Sequence, residues 1–160
     1  MLAAKDYWFD NSFRRNIMKP VMNLIPIGRR SSKGRDISFD DTLELSKGFM
    51  NVNKRCIIIF PEGTRGKPDI LIRFKKGPAR LAIGTGEKIL PAVIMGTGLL
   101  WPKGKIIFKP GRINVYILPP LDPNSFLIRD NRNNTDLFKS AEAMTYALET
   151  KIKEKIKDLS

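Results

Sequence analysis

The sequence predicts an α/β domain: a mixed, mainly parallel sheet flanked by helices. Three observations carry that prediction. Residues 24–27, 56–60 and 89–95 are short apolar runs of strand length, bounded by Gly or Pro. Between and after them, apolar residues recur at steps of three and four, the period of a helix packed on one face. Residues 38–50 form such a helical pattern between the first two runs, and a β-α-β crossover makes its two strands parallel. At 160 residues the chain has room for one domain, spanning 1–160, with a core of its own.

Taken in order, Asp10 or Asn11 is placed to cap a helix carrying Phe13, Ile17 and Val21 or Leu24 on one face, bent or ended by Pro20. The preceding Tyr7, Trp8 and Phe9 read as packing surface or as an acyl-chain or membrane contact. Residues 24–27 are a short strand that ends in Gly28, Arg29 and Arg30, followed by a basic loop over 31–35. Ser38, with Asp41 three residues on, is a capping box for a helix that turns Phe39, Leu43 and Phe49 or Met50 inward. Residues 56–60, Cys-Ile-Ile-Ile-Phe, read as a central strand buried on both faces. Pro61 stops its ladder because it has no N–H, and Gly63 permits a sharp turn. Glu62, Thr64 and Arg65 then leave the sheet at the carboxyl end of the strand, where open α/β sheets bind ligands. The plain structural reading of the same residues is a polar surface turn.

Gly77-Pro78 starts the next helix, with Ala79, Leu81, Ala82 and Ile83 as its apolar part and Gly84-Thr85-Gly86 as its end. Residues 89–95 are the next buried strand. Leu99, Leu100 and Trp101 beside Lys103 and Lys105 suit a membrane–water interface or a buried loop. Residues 105–109 and 113–118 read as a hairpin turned at Pro110-Gly111, with Pro119 and Pro120 ending the sheet. Residues 124–134 form a polar loop. The amphipathic helix over 136–159 carries Leu137, Ala141, Met144, Leu148, Ile152, Ile156 and Leu159 on one face. Lys151, Lys153, Lys155 and Lys157 decorate the others, so the helix packs on its own sheet or lies on an anionic membrane.

The formal net charge is +13, and its excess is local. Residues 51–112 hold 13 Lys and Arg against 3 Asp and Glu, whereas residues 113–160 hold 7 of each. A surface of this kind draws phosphates, acidic lipid headgroups or nucleic acid. Nucleic acid is disfavoured, because no helix-turn-helix pattern, zinc spacing or aromatic RNA-binding signature is present. The single cysteine excludes an internal disulfide, no zinc-type spacing points to a metal, and a reducing compartment is expected. No apolar run approaches the ~18 residues that cross a bilayer, so a soluble or peripheral protein is expected.

Phe-Pro-Glu-Gly-Thr-Arg at 60–65, followed by Phe74-Lys75-Lys76-Gly77, resembles the third sequence block of the glycerolipid (lysophospholipid) acyltransferase family. Leu90-Pro91-Ala92-Val93-Ile94 resembles its fourth block, and Ile25-Pro26-Ile27-Gly28-Arg29 its second, with Gly28 where an Asp is common. The resemblance spans roughly residues 3–123. It implies transfer of an acyl group from acyl-CoA or acyl carrier protein, as co-substrate and with no bound cofactor, to a hydroxyl of a glycerol phosphate or lysophospholipid. It further implies that Arg29 and Arg65 hold the acceptor phosphate, with Pro61, Gly63 and Thr64 shaping the turn and Lys75 or Lys76 adding charge. Glu62 would position the glycerol hydroxyls or the loop itself, and Leu90 and Pro91 would form the acyl side. An anionic membrane surface at the cytoplasmic face is the implied setting. The family's first block, His-x-x-x-x-Asp, has no counterpart, since the chain contains no histidine. The expectation is therefore an incomplete copy of that fold, with no catalytic dyad of its own and the missing block encoded upstream of Met1. The rival readings are a non-catalytic phosphate- or lipid-binding relative and a basic nucleic-acid-binding domain.

Overall fold

A computed structural model of the chain describes residues 2–4, 25–27, 38–52, 55–64, 66, 70–100 and 109–159. The expected helix after Asp10, the loop at 31–35 and the Trp101 segment lie outside them. The chain divides into two units, Met1–Ile59 and Phe60–Ser160.

In the first unit, strands β1 (Leu2–Ala4) and β2 (Ile25–Ile27) pair in parallel, Ala3 opposite Pro26. Helix α1 (Phe39–Asn51) opens on the expected capping box: Ser38 Oγ accepts from the Asp41 N–H at 3.0 Å, and the Asp41 carboxylate accepts from the Ser38 N–H at 3.1 Å. The inward face differs from expectation. Thr42 and Ser46 are the buried residues, while Phe39, Leu43, Phe49 and Met50 are only half-buried. Burial of the two hydroxyls is tolerated because each bonds the carbonyl one turn back, Thr42 to Ser38 at 3.1 Å and Ser46 to Thr42 at 2.7 Å.

The buried central strand expected at 56–60 is not formed. These residues lie in no strand, Cys56 is exposed, and Ile58 and Phe60 are each 59% exposed. A β-branched run makes a strand only when a neighbour accepts its ladder, and among the described residues none pairs with it. The β-α-β unit drawn from it is accordingly absent among the described elements; the parallel pair is β1 with β2.

The second unit begins with helix α2 (Gly77–Thr85), which has Pro in its first turn and closes on Gly86 in the left-handed conformation, the Gly86 N–H bonding Ala82 O. Strands β3 (Ala92–Met95) and β4 (Asn114–Ile117) are antiparallel, Val93 opposite Tyr116, with the short helix α3 (Thr97–Leu100) after β3. Residues 105–108 lie outside the described residues; among the described residues β4 pairs with β3. Pairing resumes beyond the two prolines at Ile89 and Leu121, which exchange bonds of 3.0 and 2.8 Å. Two residues separate Ile89 from Ala92, and three separate Ile117 from Leu121, so one extra residue is accommodated where Pro119 and Pro120 have no N–H to give. The 89–95 segment is buried on one face only: Val93 is buried, while Leu90 and Ile94 are exposed. That alternation belongs to an antiparallel sheet covered on one side. The polar loop contains a 3-10 turn (Pro123–Phe126) and a bridge between Arg129 and Thr135.

Helix α4 (Leu137–Leu159) is the backbone of this unit. Asp136 caps it, accepting from the Lys139 N–H at 3.0 Å, and that bond holds the Asp136 carboxyl below its usual range. Its buried stripe is Ala141, Met144, Leu148 and Ile152, as the periodicity predicts. The upper half packs Ala141 and Met144 on Ala79 and Ala82 of α2, where small side chains let the helices approach. The lower half packs Leu148 and Ile152 on Phe74 and Val93. The helix thus spends its apolar face on its own domain.

Candidate active site, acceptor side

The 60–64 stretch forms a tight turn in which the Gly63 N–H bonds Phe60 O at 3.1 Å and Gly63 has φ +71°. A side chain would strain that conformation. The turn is tied to the following segment twice. Pro61 O accepts from the Lys75 N–H at 2.8 Å, and the Glu62 carboxylate accepts from the Ile72 N–H at 3.1 Å. Glu62 is thereby tied to the main chain of the segment that follows the turn. A Cβ added at Gly63 would lie 3.6 Å from Lys75 Cγ and 3.9 Å from its Cε, so the lysine stem runs along the glycine. Turn and lysine, twelve residues apart in sequence, are brought together.

The two lysines are not equivalent. Lys76 Nζ lies 2.9 Å from the Glu142 carboxylate and 4.0 Å from the centroid of the Phe138 ring. An ion pair and a cation–π contact thus occupy its charge. Lys75 is exposed, and among the described residues no carboxylate lies within ion-pair distance of it. Lys75 also precedes the open N-terminus of α2, which has no side-chain cap and a positive dipole end. Thr64 is exposed beside the turn, Leu90 is 60% exposed and Pro91 is buried, its carbonyl accepting from the Leu118 N–H at 2.9 Å. Arg29 and Arg65 lie outside the described residues.

Two carboxylates bearing on this region escape sequence reasoning. Glu142 and Glu149 stand seven residues apart on α4, two turns along one face. Glu149 accepts from the Phe74 N–H at 3.0 Å and from Lys153 Nζ at 2.6 Å. The Lys153 bond first, and then the Phe74 amide, hold its carboxyl below the usual glutamate range. Their seven-residue spacing in a lysine-rich helix is the one signal visible in the sequence. Among the described residues no group of three or more His, Cys, Asp and Glu is placed to hold a metal ion, and no helix is long and apolar enough to cross a membrane.

The described site is thus a tight Pro-Glu-Gly-Thr turn with the stem of Lys75 lying along its glycine, in a mixed α/β fold. The family model described as Acyltransferase matches residues 1–95, and the chain belongs to that family. Among curated proteins it is similar to the 1-acyl-sn-glycerol-3-phosphate acyltransferase of Limnanthes douglasii, 39% identical over 45% of this chain and 26% of that one. The chloroplastic enzyme of the same name from Brassica napus is 32% identical over 78% of this chain and 34% of its own. That of Borreliella burgdorferi is 30% identical over 78% and 48%. The fold is similar to the crystal structure of the 1-acyl-sn-glycerophosphate (LPA) acyltransferase PlsC from Thermotoga maritima. The TM-score is 0.66 at 25% identity, over 99% of this chain and 55% of that one. The chain thus spans between about a quarter and about half the length of these relatives.

Proposed function

We propose that this chain forms the acceptor-phosphate-binding part of an acyltransferase of phospholipid biosynthesis. The acyl group passes from acyl-CoA or acyl carrier protein to a hydroxyl of a glycerol phosphate or lysophospholipid. The observation that carries this reading is Lys75, whose stem lies along Gly63 of the Pro-Glu-Gly-Thr turn and which has no ion pair among the described residues. Arg29 of the second block and Arg65 of the third are the arginines assigned to acceptor phosphate, Arg for its planar two-pronged fork. Glu62 and the Pro61 carbonyl hold the turn, Thr64 borders it, and Leu90 and Pro91 form the acyl side. Lys76, paired with Glu142, adds positive charge beside the turn. An anionic membrane surface at the cytoplasmic face is the setting. In support, the basic excess of residues 51–112 lies close in sequence to an outward sheet face of Leu90, Ile94, Val115 and Ile117.

In the transfer the acceptor hydroxyl attacks the thioester carbonyl, the thiolate leaves and the hydroxyl proton passes to a base. A base near neutral pKa suits that step, and histidine supplies it. None is present in these 160 residues, which favours as second reading a relative that binds the acceptor without turning it over. Mixed with acyl-CoA and lysophosphatidate, the chain alone is expected to form no phosphatidate above background by mass spectrometry. Robust turnover abolished by Glu62→Gln would overturn that and make Glu62 the base. For binding, glycerol 3-phosphate should raise the melting temperature by linkage. Arg65→Ala and Lys75→Ala should diminish the rise more than Arg112→Ala, which stands outside the motif. Equal effects from all three would mean diffuse attraction and no formed site.

A further inference from the structure

Residues 72–75 belong to no strand, yet their main chain is held at three points. Glu62 takes the Ile72 N–H, Pro61 O takes the Lys75 N–H, and between them Glu149 takes the Phe74 N–H at 3.0 Å. The outer two ties come from the turn itself. The middle one comes from α4, 75 residues along the chain and beyond the residues that the family model matches. The Glu149 side chain is 18% exposed, and its other oxygen is occupied by Lys153 at 2.6 Å. One carboxylate oxygen is thus anchored by a cation on the same helix while the other points at a single main-chain amide. A bond of this charge-assisted kind is roughly twice as strong as a neutral one.

The ring of Phe74 is buried with Leu148 and Ile152, which fixes where the segment docks. Ring packing alone leaves the adjoining peptide planes free to rotate. Glu149 fixes the peptide on the amino side of Phe74 and Pro61 O the one on its carboxyl side, and the two together set the direction in which Lys75 leaves the chain. Here that direction is along Gly63. We propose that Glu149 is a positioning residue: by holding the Phe74 amide, it aims the Lys75 ammonium at the anion seated on the 61–64 turn. Helix α4 then completes an acceptor site whose contacting groups all come from elsewhere. This rests on the reading of Lys75 as an acceptor-phosphate ligand.

The test uses the full chain, with glycerol 3-phosphate as the titrant in calorimetry and amide hydrogen exchange as a ligand-free readout. Lys75→Ala, Glu149→Ala and the double variant form a cycle, and Glu149→Gln restores an acceptor without the charge. Each alanine variant should weaken binding about three- to tenfold, with the double variant no weaker than the weaker single one. Glu149→Gln should stay within about twofold of the parent, because its amide oxygen still accepts from Phe74. Exchange at the Phe74 and Lys75 amides should rise in Glu149→Ala and not in Glu149→Gln. If the alanine variant does not fold, Glu149→Asp, one bond too short to reach the amide, should show the same loss. Additive effects, or parent-like binding by Glu149→Ala while Lys75→Ala is weakened, would overturn the positioning role and leave the Lys75 reading standing. Parent-like binding by Lys75→Ala would overturn that reading, and the proposal with it.

Discussion

Replacing each of the two adjacent lysines by alanine should produce opposite phenotypes. Lys76 is a structural cation. Its pair with Glu142 is made between side chains 31% and 53% exposed, and such pairs contribute about 0.2–1 kcal/mol. The Phe138 ring at 4.0 Å adds about 0.5–1 kcal/mol at an exposed site. Lys76→Ala should therefore cost about 1 kcal/mol, lowering the melting temperature by roughly 4–8 °C if the Phe60–Ser160 unit melts cooperatively. Lys75 makes no ion pair among the described residues, so its removal should leave stability within about 0.5 kcal/mol of the parent. Its loss falls on the ligand. A unit charge at ~4 Å from a phosphate is worth between ~1 kcal/mol in water and ~4 kcal/mol near a protein surface. A tenfold weaker Kd corresponds to about 1.4 kcal/mol and sits within that range. The assay is a thermal melt of each variant, with and without glycerol 3-phosphate at fixed ionic strength. If Lys76→Ala loses the ligand response while Lys75→Ala keeps it, the assignment of the two cations is wrong.

Three further outcomes follow from the packing and the charges. Gly96→Ala should destabilise by at least ~1–2 kcal/mol from its φ of +94° alone, and by more because the added Cβ would lie 2.5 Å from Arg112 O; urea unfolding measures it. Met144→Ala, at a fully buried position between α2 and α4, should cost about 2–5 kcal/mol, and a loss under 1 kcal/mol would show that this helix contact is not tight. Because the folded state lowers the Glu149 pKa, its contribution to stability is present above the ordinary glutamate range and is lost as pH falls through the depressed value. Unfolding measured over a descending pH series should lose less stability in Glu149→Gln than in the parent.

What was legible in the sequence was local. The Ser38–Asp41 box, the Pro and Gly that bound α2 and the stripe on α4 are each decided within a few residues, and each is in the structure. What was misread depends on partners far along the chain. Residues 56–60 have the composition of a buried strand, but composition supplies no neighbouring ladder. The strand at 114–117 was expected; its pairing with 92–95, about twenty residues earlier, has no short-range signal to name it. The site divides the same way. The motif at 60–65 marks the turn, and only the fold shows Lys75 lying along Gly63.

The lysine pair shows why such a site is only half visible in a sequence. Side by side, Lys75 and Lys76 are chemically identical, and their motif gives either one the phosphate. The structure distinguishes them through Glu142, 66 residues further on, which pairs with Lys76. Counted as charge, residues 113–160 look inert, with as many acids as bases. Placed on a helix, two of those acids face the basic segment: one neutralises Lys76, and the other grips the Phe74 amide next to Lys75. Glu142 thus reduces repulsion between the two neighbouring lysines, while Lys75 makes no ion pair among the described residues. A net charge of zero over a segment is therefore no argument that it stands apart from the site; its disposition on the helix decides.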